Sequence, residues 1–321
     1  MNGPPCNTAG PAIGNGFPSV SILLLIKNHV EYMRRSLDLI LGQEYQGQVE
    51  IVYVDSGSVD GTIELMRAHG VEPHCIPPEE FHHARTRNYA ASIAQHEILA
   101  LLSADAIPTN RQWLRGLVEP FRDPMVGGVY GKQIAPEGTG PVRTRGLESI
   151  YPDVREVRCL EPGTKGTIGM IRFSNANSAI RASVWRQFRF HEQVLVAEDH
   201  WICYKILKHG MKVVYEPAAA VIHGHERSLW GEFQWAVDNG ISLKRMGVYD
   251  DPLFSGEFQY GWRRIKQDWV HFVSRGTYGL ALKGFVVSGV KWAGVQVGKR
   301  EKRLPRWLLR RVSAGLGKSS T

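Results

Sequence analysis

Short apolar runs alternate with helical patterns through the first 134 residues, and this alternation constrains the fold more than any other feature. The runs VSILLLI at 20–26 and HEILALLSADA at 96–106 are almost continuously apolar, which is typical of strands buried on both faces. Further patterns predict strands at 50–55, 71–77 and 126–134, and helices between Asn28 and Gly42 and over 62–70, 84–95 and 111–121. Asn28 and Asp60 are the predicted N-caps of the first two helices. Alternating strands and helices predict an α/β fold with a mainly parallel, doubly wound sheet flanked by helices.

The pattern beyond residue 134 is less regular. Residues 135–172 contain several Gly and Pro and predict a long surface loop. Residues 177–188 predict a strand that turns into a helix, and from about Ser228 the chain is predicted to be mostly helical to its end. Between these segments we expect a helix at 197–210 and two closing strands at 211–217 and 218–225. We therefore expect a flexible leader over 1–18, an α/β domain over 19–227 and a helical C-terminal region over 228–321.

Positive charge is concentrated at the C-terminus. The chain has a net charge of +8, and residues 257–321 hold 14 Lys and Arg against three acids, so the remainder is slightly acidic. The segment 262–273 places Trp262, Trp269 and Phe272 on one helical face, as in an interfacial amphipathic helix. The apolar stretch 278–297 is broken by two lysines and several glycines, and makes a poor spanning helix.

This basic region predicts peripheral attachment to an anionic membrane surface at the cytoplasmic face. A helical subdomain packed on the main domain, with a solvated charged end, is the alternative. Charge alone would also permit a nucleic-acid partner, but the sequence has no nucleic-acid-binding motif, and we expect none. Four widely spaced cysteines without a CxxC pair indicate reduced thiols in a cytosolic protein.

Two of the predicted strands end in carboxylates, at Asp55 and Asp105. In open parallel sheets, ligands bind beyond the carboxyl ends of the strands, so both acids are expected at one edge. Each acid could instead only begin a turn or cap a helix. The Gly-rich turn that follows Asp55 favours a nucleotide-binding site at this edge.

Six motifs, in order, carry a resemblance to a known family: VSILLLIKN, VYVDSGSVDGT, FHHARTRN, LLSADAIP, AEDHW and VIHGH. With this spacing the chain resembles a family 2 glycosyltransferase with the GT-A fold from about Val20 to His225. FHHARTRN and SADAIP are most similar to the rhamnosyltransferase-like branch. The resemblance implies a transferase domain over 19–227, followed by the basic helical extension.

The resemblance implies a donor-nucleotide site at the first strand ends. The acid at Asp55 is expected to bind the base and ribose of the donor, with Ser56, Gly57 and Asp60 shaping the turn. Arginine forks suit diphosphate oxygens, which points to Arg85 and Arg87, with Asn88 beside them. These arginines could also form only a solvated first turn of a helix.

A divalent cation, Mg²⁺ or Mn²⁺, is the implied cofactor. Asp105 corresponds to the second acid of the family's D-x-D motif, and its oxygens suit a hard cation that bridges two phosphates. Ser103 stands where the first acid of that motif is common, so one acid remains and the cation would rely on diphosphate and water ligands. His223 is the first choice to complete the site, although His223 and His225 could be merely structural.

The pair Glu198-Asp199 begins a predicted helix. By resemblance this is the family's E-D motif, in which Asp199 acts as general base on an acceptor hydroxyl. The alternative is that both acids only stabilise the helix N-terminus. Trp201 could form a wall for a sugar or be a core residue.

These features together predict an inverting glycosyltransferase that uses a nucleoside diphosphate sugar, with dTDP-rhamnose as the first candidate. The expected acceptor is a hydroxyl of a glycan or of a lipid-linked sugar in cell-surface polysaccharide assembly. A sugar-1-phosphate nucleotidyltransferase would need a Gly-rich phosphate loop where this chain reads KNHVEY at 27–32. The loss of the first D-x-D acid leaves open a scaffold of the same fold that binds nucleotide sugars or glycans without turnover.

Overall fold

The alternating apolar runs assemble into one nine-stranded sheet that carries helices on its faces. The computed structural model describes residues 16–161 and 163–317, so residues 1–15 of the predicted leader lie outside this range. The strands are β1 Val20–Ile26, β2 Val49–Asp55, β3 Pro73–Cys75, β4 Ile98–Ser103, β5 Ile107–Pro108, β6 Val126–Ile134, β7 Glu156–Arg158, β8 Gly166–Thr167, β9 Asn177–Arg181, β10 Lys212–Ile222 and β11 Phe254–Ser255. The helices are α1 Val30–Leu41, α2 Thr62–Ala68, α3 His83–Ile93, α4 Trp113–Val118, α5 Pro141–Ile150, α6 Ala182–Phe188, α7 Glu198–Lys208, α8 Leu229–Arg245, α9 Glu257–Val273, α10 Tyr278–Gly298, α11 Arg306–Val312 and α12 Ala314–Gly317.

The large sheet is mixed rather than wholly parallel. Its strand order is β3-β2-β1-β4-β9-β6-β10-β5, with β7 on β10, and β8 pairs separately with β11. The pairs β1–β2, β1–β4, β2–β3 and β6–β10 are parallel, as predicted. However, β9 runs antiparallel to β4 and to β6, and β5 and β7 run antiparallel to β10.

The reversed direction of β9 matters for the site. Asn177, at the start of β9, pairs with Leu102, near the end of β4, and the Ser103 N–H donates to the Ala176 carbonyl at 3.2 Å. The residues just before β9 therefore lie at the same sheet edge as the carboxyl ends of β4 and β6. The sequence did not predict this neighbourhood.

Each face of the sheet is covered by a separate hydrophobic cluster. Alternate residues of β1 point to opposite sides, and the even-numbered ones join Met33, Leu37 and Ile40 of α1 in one cluster, whereas Leu23 belongs to the other. Burial of such side chains contributes about 1.5–3 kcal/mol each. The prediction that 20–26 is buried on both faces is confirmed.

Three local predictions were wrong. The N-cap of α1 is His29 rather than Asn28, because Asn28 adopts φ +54° and its Oδ1 accepts from the Val59 N–H at 2.8 Å. The predicted loop 135–172 contains α5, which Pro141 opens at its first position, where a missing N–H costs nothing. The two predicted closing strands are one continuous strand, β10, which bulges between Glu216 and Val221 instead of breaking.

The C-terminal helices pack on the α/β core and on one another. α8 and α10 approach closely at glycines: a Cβ on Gly298 would lie 2.2 Å from the Val237 carbonyl oxygen, and one on Gly294 would lie 2.6 Å from the Phe233 carbonyl oxygen. Gly294 and Gly298 thus serve helix packing. Within the described residues, no helix is both long enough and apolar enough to cross a membrane.

Asp251 anchors this region to the core. Its Oδ2 accepts from the Tyr204 hydroxyl and from the Lys208 ammonium of α7, each at 2.5 Å. Burial raises the pKa of Asp251, but the hydrogen bonds from Lys208 and Tyr204 outweigh that effect and hold the pKa below its usual value.

Candidate active site

The carboxyl ends of β1, β2 and β4 and the start of β9 bring most of the predicted site residues to one edge of the sheet. Asp55 is the last residue of β2, and Asp105 follows β4 by two positions. Glu198 and Asp199 open α7, whose preceding residue, Ala197, has φ +64°. The end of β2 and the short connection after β4 place Asp55 and Asp105 at this edge, and a hydrogen bond from the Asn175 N–H brings Asp199 to it.

Asp55 is the centre of a closed loop. Its side chain is fully buried, and Oδ1 accepts from the N–H groups of Gly57 and Ser58 at 2.8 Å each. Oδ2 accepts from the Tyr53 hydroxyl at 2.5 Å and from the Ser58 hydroxyl at 2.6 Å. Four donors fill the acceptor positions of one carboxylate. The expected direct bond from Asp55 to a base or ribose is therefore not available in this arrangement, and Asp55 shapes the loop instead.

The Asp60 side chain joins this loop to the β1–α1 connection. Oδ2 accepts from the Val30 N–H at 3.0 Å, and Oδ1 accepts from the Thr62 N–H and hydroxyl. The N-cap of α2 is Gly61 rather than the predicted Asp60, but the Asp60 carboxylate accepts from the first N–H of both α1 and α2. Gly57 (φ +88°) turns against Pro78, and Ser56 is buried behind the loop. The two loops form one rigid wall at the end of β1 and β2.

The two predicted arginines of α3 have different surroundings. Arg85 is exposed, and its side chain has no partner among the described residues. Arg87 instead donates to Glu198 Oε1 at 2.5 Å, with only 12% and 9% of the two side chains exposed. The structure thus joins Arg87, assigned to the donor, with Glu198, assigned to the catalytic pair. In this arrangement Arg87 holds α7 against α3, and its Nη1 is engaged by Glu198.

Asn88 does not face the donor edge. Its Nδ2 donates to the Phe190 carbonyl and to Glu192, and its Oδ1 accepts from the Phe190 N–H and from Trp185 Nε1, all within 3.0 Å. The prediction that Asn88 binds the donor is therefore not supported, because its amide is buried and fully used. Asn88 fixes the segment between α6 and α7.

Asp105, His223 and His225 form a compact group whose candidate ligand atoms all lie within 4.8 Å of one another. His225 Nε2 lies 2.8 Å from Asp105 Oδ2, and His223 Nε2 lies 3.5 Å from Asp105 Oδ1. His223 Nδ1 lies 2.9 Å from Gln133 Oε1, so the hydrogen-bond partners place the ring proton on Nδ1. The Nε2 lone pair then faces a carboxylate oxygen, and a cation between these two acceptors would satisfy both.

The protonation of this group suits a metal. Burial lowers the pKa of His223 to about 4, so the imidazole is neutral near pH 7. Burial raises the pKa of Asp105, but the hydrogen bond from His225 and the charges of both histidines outweigh it and keep the pKa below its usual value. A neutral imidazole and an ionised carboxylate are the forms that bind Mn²⁺ or Mg²⁺.

Asp199 is held from two sides. Oδ1 accepts from the His200 N–H at 2.8 Å and lies 2.7 Å from the His200 ring nitrogen, while Oδ2 accepts from the Asn175 N–H at 3.2 Å. Burial raises the pKa of Asp199, but His200 outweighs it and holds the pKa below its usual value. The carboxylate is thus ionised at neutral pH and able to accept a proton.

Trp201 belongs to the core side of α7. Its Nε1 donates to the Arg189 carbonyl at 3.0 Å, and its ring contacts His191 and Tyr204. Lys205 lies over the same ring. These contacts favour the core alternative over a wall for a sugar.

Hydrogen bonds connect the acid–histidine group with Asp199. Gln133 accepts from His223 and donates through Nε2 to the Ser174 hydroxyl at 2.8 Å, and the next residue, Asn175, donates its N–H to Asp199. Sequence reasoning missed all three intermediaries. Gln133 could have been noticed, because it stands next to the last residue of a predicted strand at the same edge, but nothing in the local pattern marks 174–175.

A mixed sheet of this order, with acid and histidine side chains at its carboxyl edge, defines the GT-A class of glycosyltransferases. The chain belongs to the family described as "Glycosyl transferase family 2", whose profile matches residues 21–181. The predicted family, enzyme class and GT-A fold are confirmed.

Relatives and solved structures agree with this assignment. The O-antigen chain rhamnosyltransferase RfbN of Salmonella typhimurium is 27% identical over 259 residues, which cover 80% of this chain and 82% of that protein. The O-antigen chain rhamnosyltransferase WbaN of Salmonella anatum is 26% identical, covering 80% and 81%. Among solved structures, the mannosyltransferase PcManGT from Pyrobaculum calidifontis, in complex with GDP-Man and Mn²⁺, has a TM-score of 0.57 at 19% identity, covering 94% of this chain and 86% of that one. S. aureus TarS 1-349 has a TM-score of 0.55 at 14% identity, covering 89% and 91%.

Proposed function

We propose that this protein transfers a sugar, with inversion, from a nucleoside diphosphate donor to a hydroxyl of a glycan or lipid-linked acceptor in cell-surface polysaccharide assembly. dTDP-rhamnose is the first donor to test, because RfbN and WbaN are named O-antigen chain rhamnosyltransferases. The observation that carries the proposal is the pairing of an ionised Asp199 with the Asp105–His223–His225 group at one sheet edge.

In this proposal Asp199 is the general base. It takes the proton from the acceptor hydroxyl as that oxygen attacks the anomeric carbon, and a single in-line displacement inverts the centre. Asn175 and His200 orient its two oxygens. Glu198 is a positioning residue whose bond to Arg87 holds the start of α7.

Asp105, His223 and His225 are the residues that would hold a divalent cation, Mg²⁺ or Mn²⁺. When bound, such a cation neutralises charge on the departing nucleoside diphosphate. The Mn²⁺ and GDP-Man in the mannosyltransferase of the same fold support this assignment. Arg85, exposed on α3, is the remaining candidate to contact the diphosphate, and the loop 55–61 is the candidate wall for the nucleoside.

Residues 19–227 are proposed as the catalytic domain, and 228–321 as a C-terminal region that attaches to the inner face of the membrane. Tryptophans on three helices support attachment: Trp230, Trp262 and Trp292 are 52%, 54% and 55% exposed. Aromatic rings and lysine or arginine side chains on one surface suit an anionic interface. Flotation with anionic and with zwitterionic vesicles tests this, and a protein that stays with the soluble fraction on anionic vesicles would overturn it.

A donor screen tests the activity itself. The full chain is incubated with dTDP-rhamnose and a panel of UDP- and GDP-sugars, with Mn²⁺ or with EDTA, and released nucleoside diphosphate is measured. Asp199→Asn should lower the rate by about 10²–10⁴-fold, whereas the matched change Asp38→Asn, at a position on α1 that is 86% exposed, should leave it unchanged. The anomeric configuration of the product, read by NMR, tests inversion. No release from any donor, with lipid-linked acceptor extracts added, would favour a scaffold without turnover.

A further inference from the structure

Three cationic side chains from three helices gather beside the candidate active site. They are Arg143 on α5, Arg264 on α9 and Lys291 on α10, and we name them the cationic patch. Helix α5 packs against α9 and α10, which brings the three together. None of them belongs to the donor or metal residues described above.

The patch has more positive charge than its acidic neighbours balance. Lys291 pairs with the buried Glu232 at 3.3 Å, and Arg264 donates Nη2 to the Gly146 carbonyl at 3.4 Å. Among the residues that the structure describes, the Arg143 side chain makes no hydrogen bond or ion pair. The Nε atoms of Arg143 and Arg264 are buried without a hydrogen-bond partner. A buried guanidinium N–H that lacks an acceptor costs free energy, which a bound oxyanion would recover.

Mutual repulsion among the three cations favours an anion at the patch. Burial lowers the pKa of Lys291, and the charges of Arg143 and Arg264 lower it further, while Glu232 opposes them. Burial and the charge of Arg145 hold the pKa of Arg264 below its usual value, although Asp268, which also lies 3.2 Å from Arg145, raises it.

Helix α5 is tied to the candidate active site at its two ends. Gly140, just before the helix, donates its N–H to Glu226 Oε1 at 2.6 Å, next to His225. Tyr151, just after the helix, is buried close to Ser174 of the network that leads to Asp199. The patch therefore lies close to the proposed transfer site.

Two of the helices that carry the patch also carry exposed tryptophans. On α10, Trp292 follows Lys291 directly and is 55% exposed, and on α9, Trp262 is two positions before Arg264. Helices α9 and α10 therefore carry both patch residues and tryptophans of the surface proposed to face the membrane. In a lipid-linked sugar, the phosphate group that joins the sugar to the lipid lies between the glycan and the bilayer.

We propose that the cationic patch binds the phosphate or diphosphate ester that links the acceptor sugar to its carrier. Arg143 and Arg264 present guanidinium forks to its oxygens, and Lys291 contributes a point charge. The assignment rests on the proposed function, because it names part of the acceptor. The donor's diphosphate is the other source of the same chemistry, but that group has its own cation at Asp105 in the proposal above.

Isothermal titration of the full chain separates the two sources. In EDTA, with inorganic pyrophosphate as the probe, Arg143→Gln should weaken binding about tenfold or more, as expected for lost charge-assisted hydrogen bonds. Arg143→Lys keeps the charge and should lose less. Lys283→Gln removes the same charge from an exposed position of α10 and should change binding less than about twofold. In a second titration, with dTDP and Mn²⁺, Arg143→Gln should bind as the unchanged protein does.

Each other outcome overturns the proposal. If pyrophosphate does not bind in EDTA, or binds equally well to Arg143→Gln, the patch is not a phosphate site. If Arg143→Gln weakens dTDP–Mn²⁺ binding by the same factor, the patch serves the donor. Because no sugar transfer is measured, failure of the donor screen and failure of the patch are distinguishable. Thermal melting of each variant shows whether it is folded.

Discussion

Removing one partner of the ion pair between Arg87 and Glu198 should strongly destabilise the fold. Replacing Arg87 by Met leaves the Glu198 carboxylate, 9% exposed, with one long contact of 3.5 Å from Asn175. Removing one partner of a buried pair costs about 3–5 kcal/mol, because the other charge stays buried without compensation. We expect that loss in the free energy of unfolding, measured by urea denaturation at pH 7.5 through tryptophan fluorescence.

A double-mutant cycle and an exposed pair provide the controls. Arg87→Met combined with Glu198→Leu should cost less than the sum of the single changes by at least about 2 kcal/mol, because no charge remains buried. The pair Arg67–Glu72 has a similar geometry at 3.1 Å, but its side chains are 54% and 74% exposed, so Arg67→Met should cost less than about 1 kcal/mol. Single changes at Arg87 and Glu198 that each cost under 1 kcal/mol and add together would refute the reasoning.

Three further predictions concern the loop, the anchor and the metal group. Gly57→Ala should destabilise the protein by about 1–3 kcal/mol in thermal unfolding, because φ is +88° and the new methyl would lie 2.6 Å from Pro78 Cγ. Asp251→Asn should lower the free energy of unfolding by about 1.5–3 kcal/mol at pH 7. Since the folded pKa of Asp251 lies below its unfolded value, this difference should be full above about pH 5 and shrink as the pH falls below about 4. Gln133→Leu should weaken Mn²⁺ binding, followed by EPR, about 10–100-fold, because His223 loses the acceptor that fixes its tautomer, and unchanged affinity would contradict that role.

Local patterns predicted the strands well where burial is two-sided. The bounds of β1 and β6 match the apolar runs, since a strand buried on both faces must be apolar along its whole length. The direction of β9 could not be predicted in this way. Its residues NSAIR would suit a parallel or an antiparallel neighbour equally, and the pairing with β4 and β6 is decided by where the chain returns to the sheet.

In the candidate site, too, local sequence predicts some features and misses others. Strand ends predicted that Asp55 and Asp105 lie at one edge, because parallel strands bring their carboxyl ends together. The contacts of each side chain depend on partners far away in the sequence, and the spacing of the motifs does not reveal them. Asn88 meets Phe190, 102 positions away, and Arg87 meets Glu198, 111 positions away.

The Arg87–Glu198 bond also changes what the neighbouring residues can do. Arg87 lies on α3, beside the proposed donor wall, and Glu198 precedes the proposed base on α7. This hydrogen bond of 2.5 Å joins α3 directly to α7. It fixes the distance between the proposed donor wall and the proposed base more strictly than the packing of either helix does alone. A displacement of the base by as little as 1 Å can lower the rate about 10²-fold. Loss of Arg87 should therefore lower turnover even in the fraction of molecules that remains folded, and an Arg87→Met protein with lower stability but normal turnover would show that α7 is positioned by its packing alone.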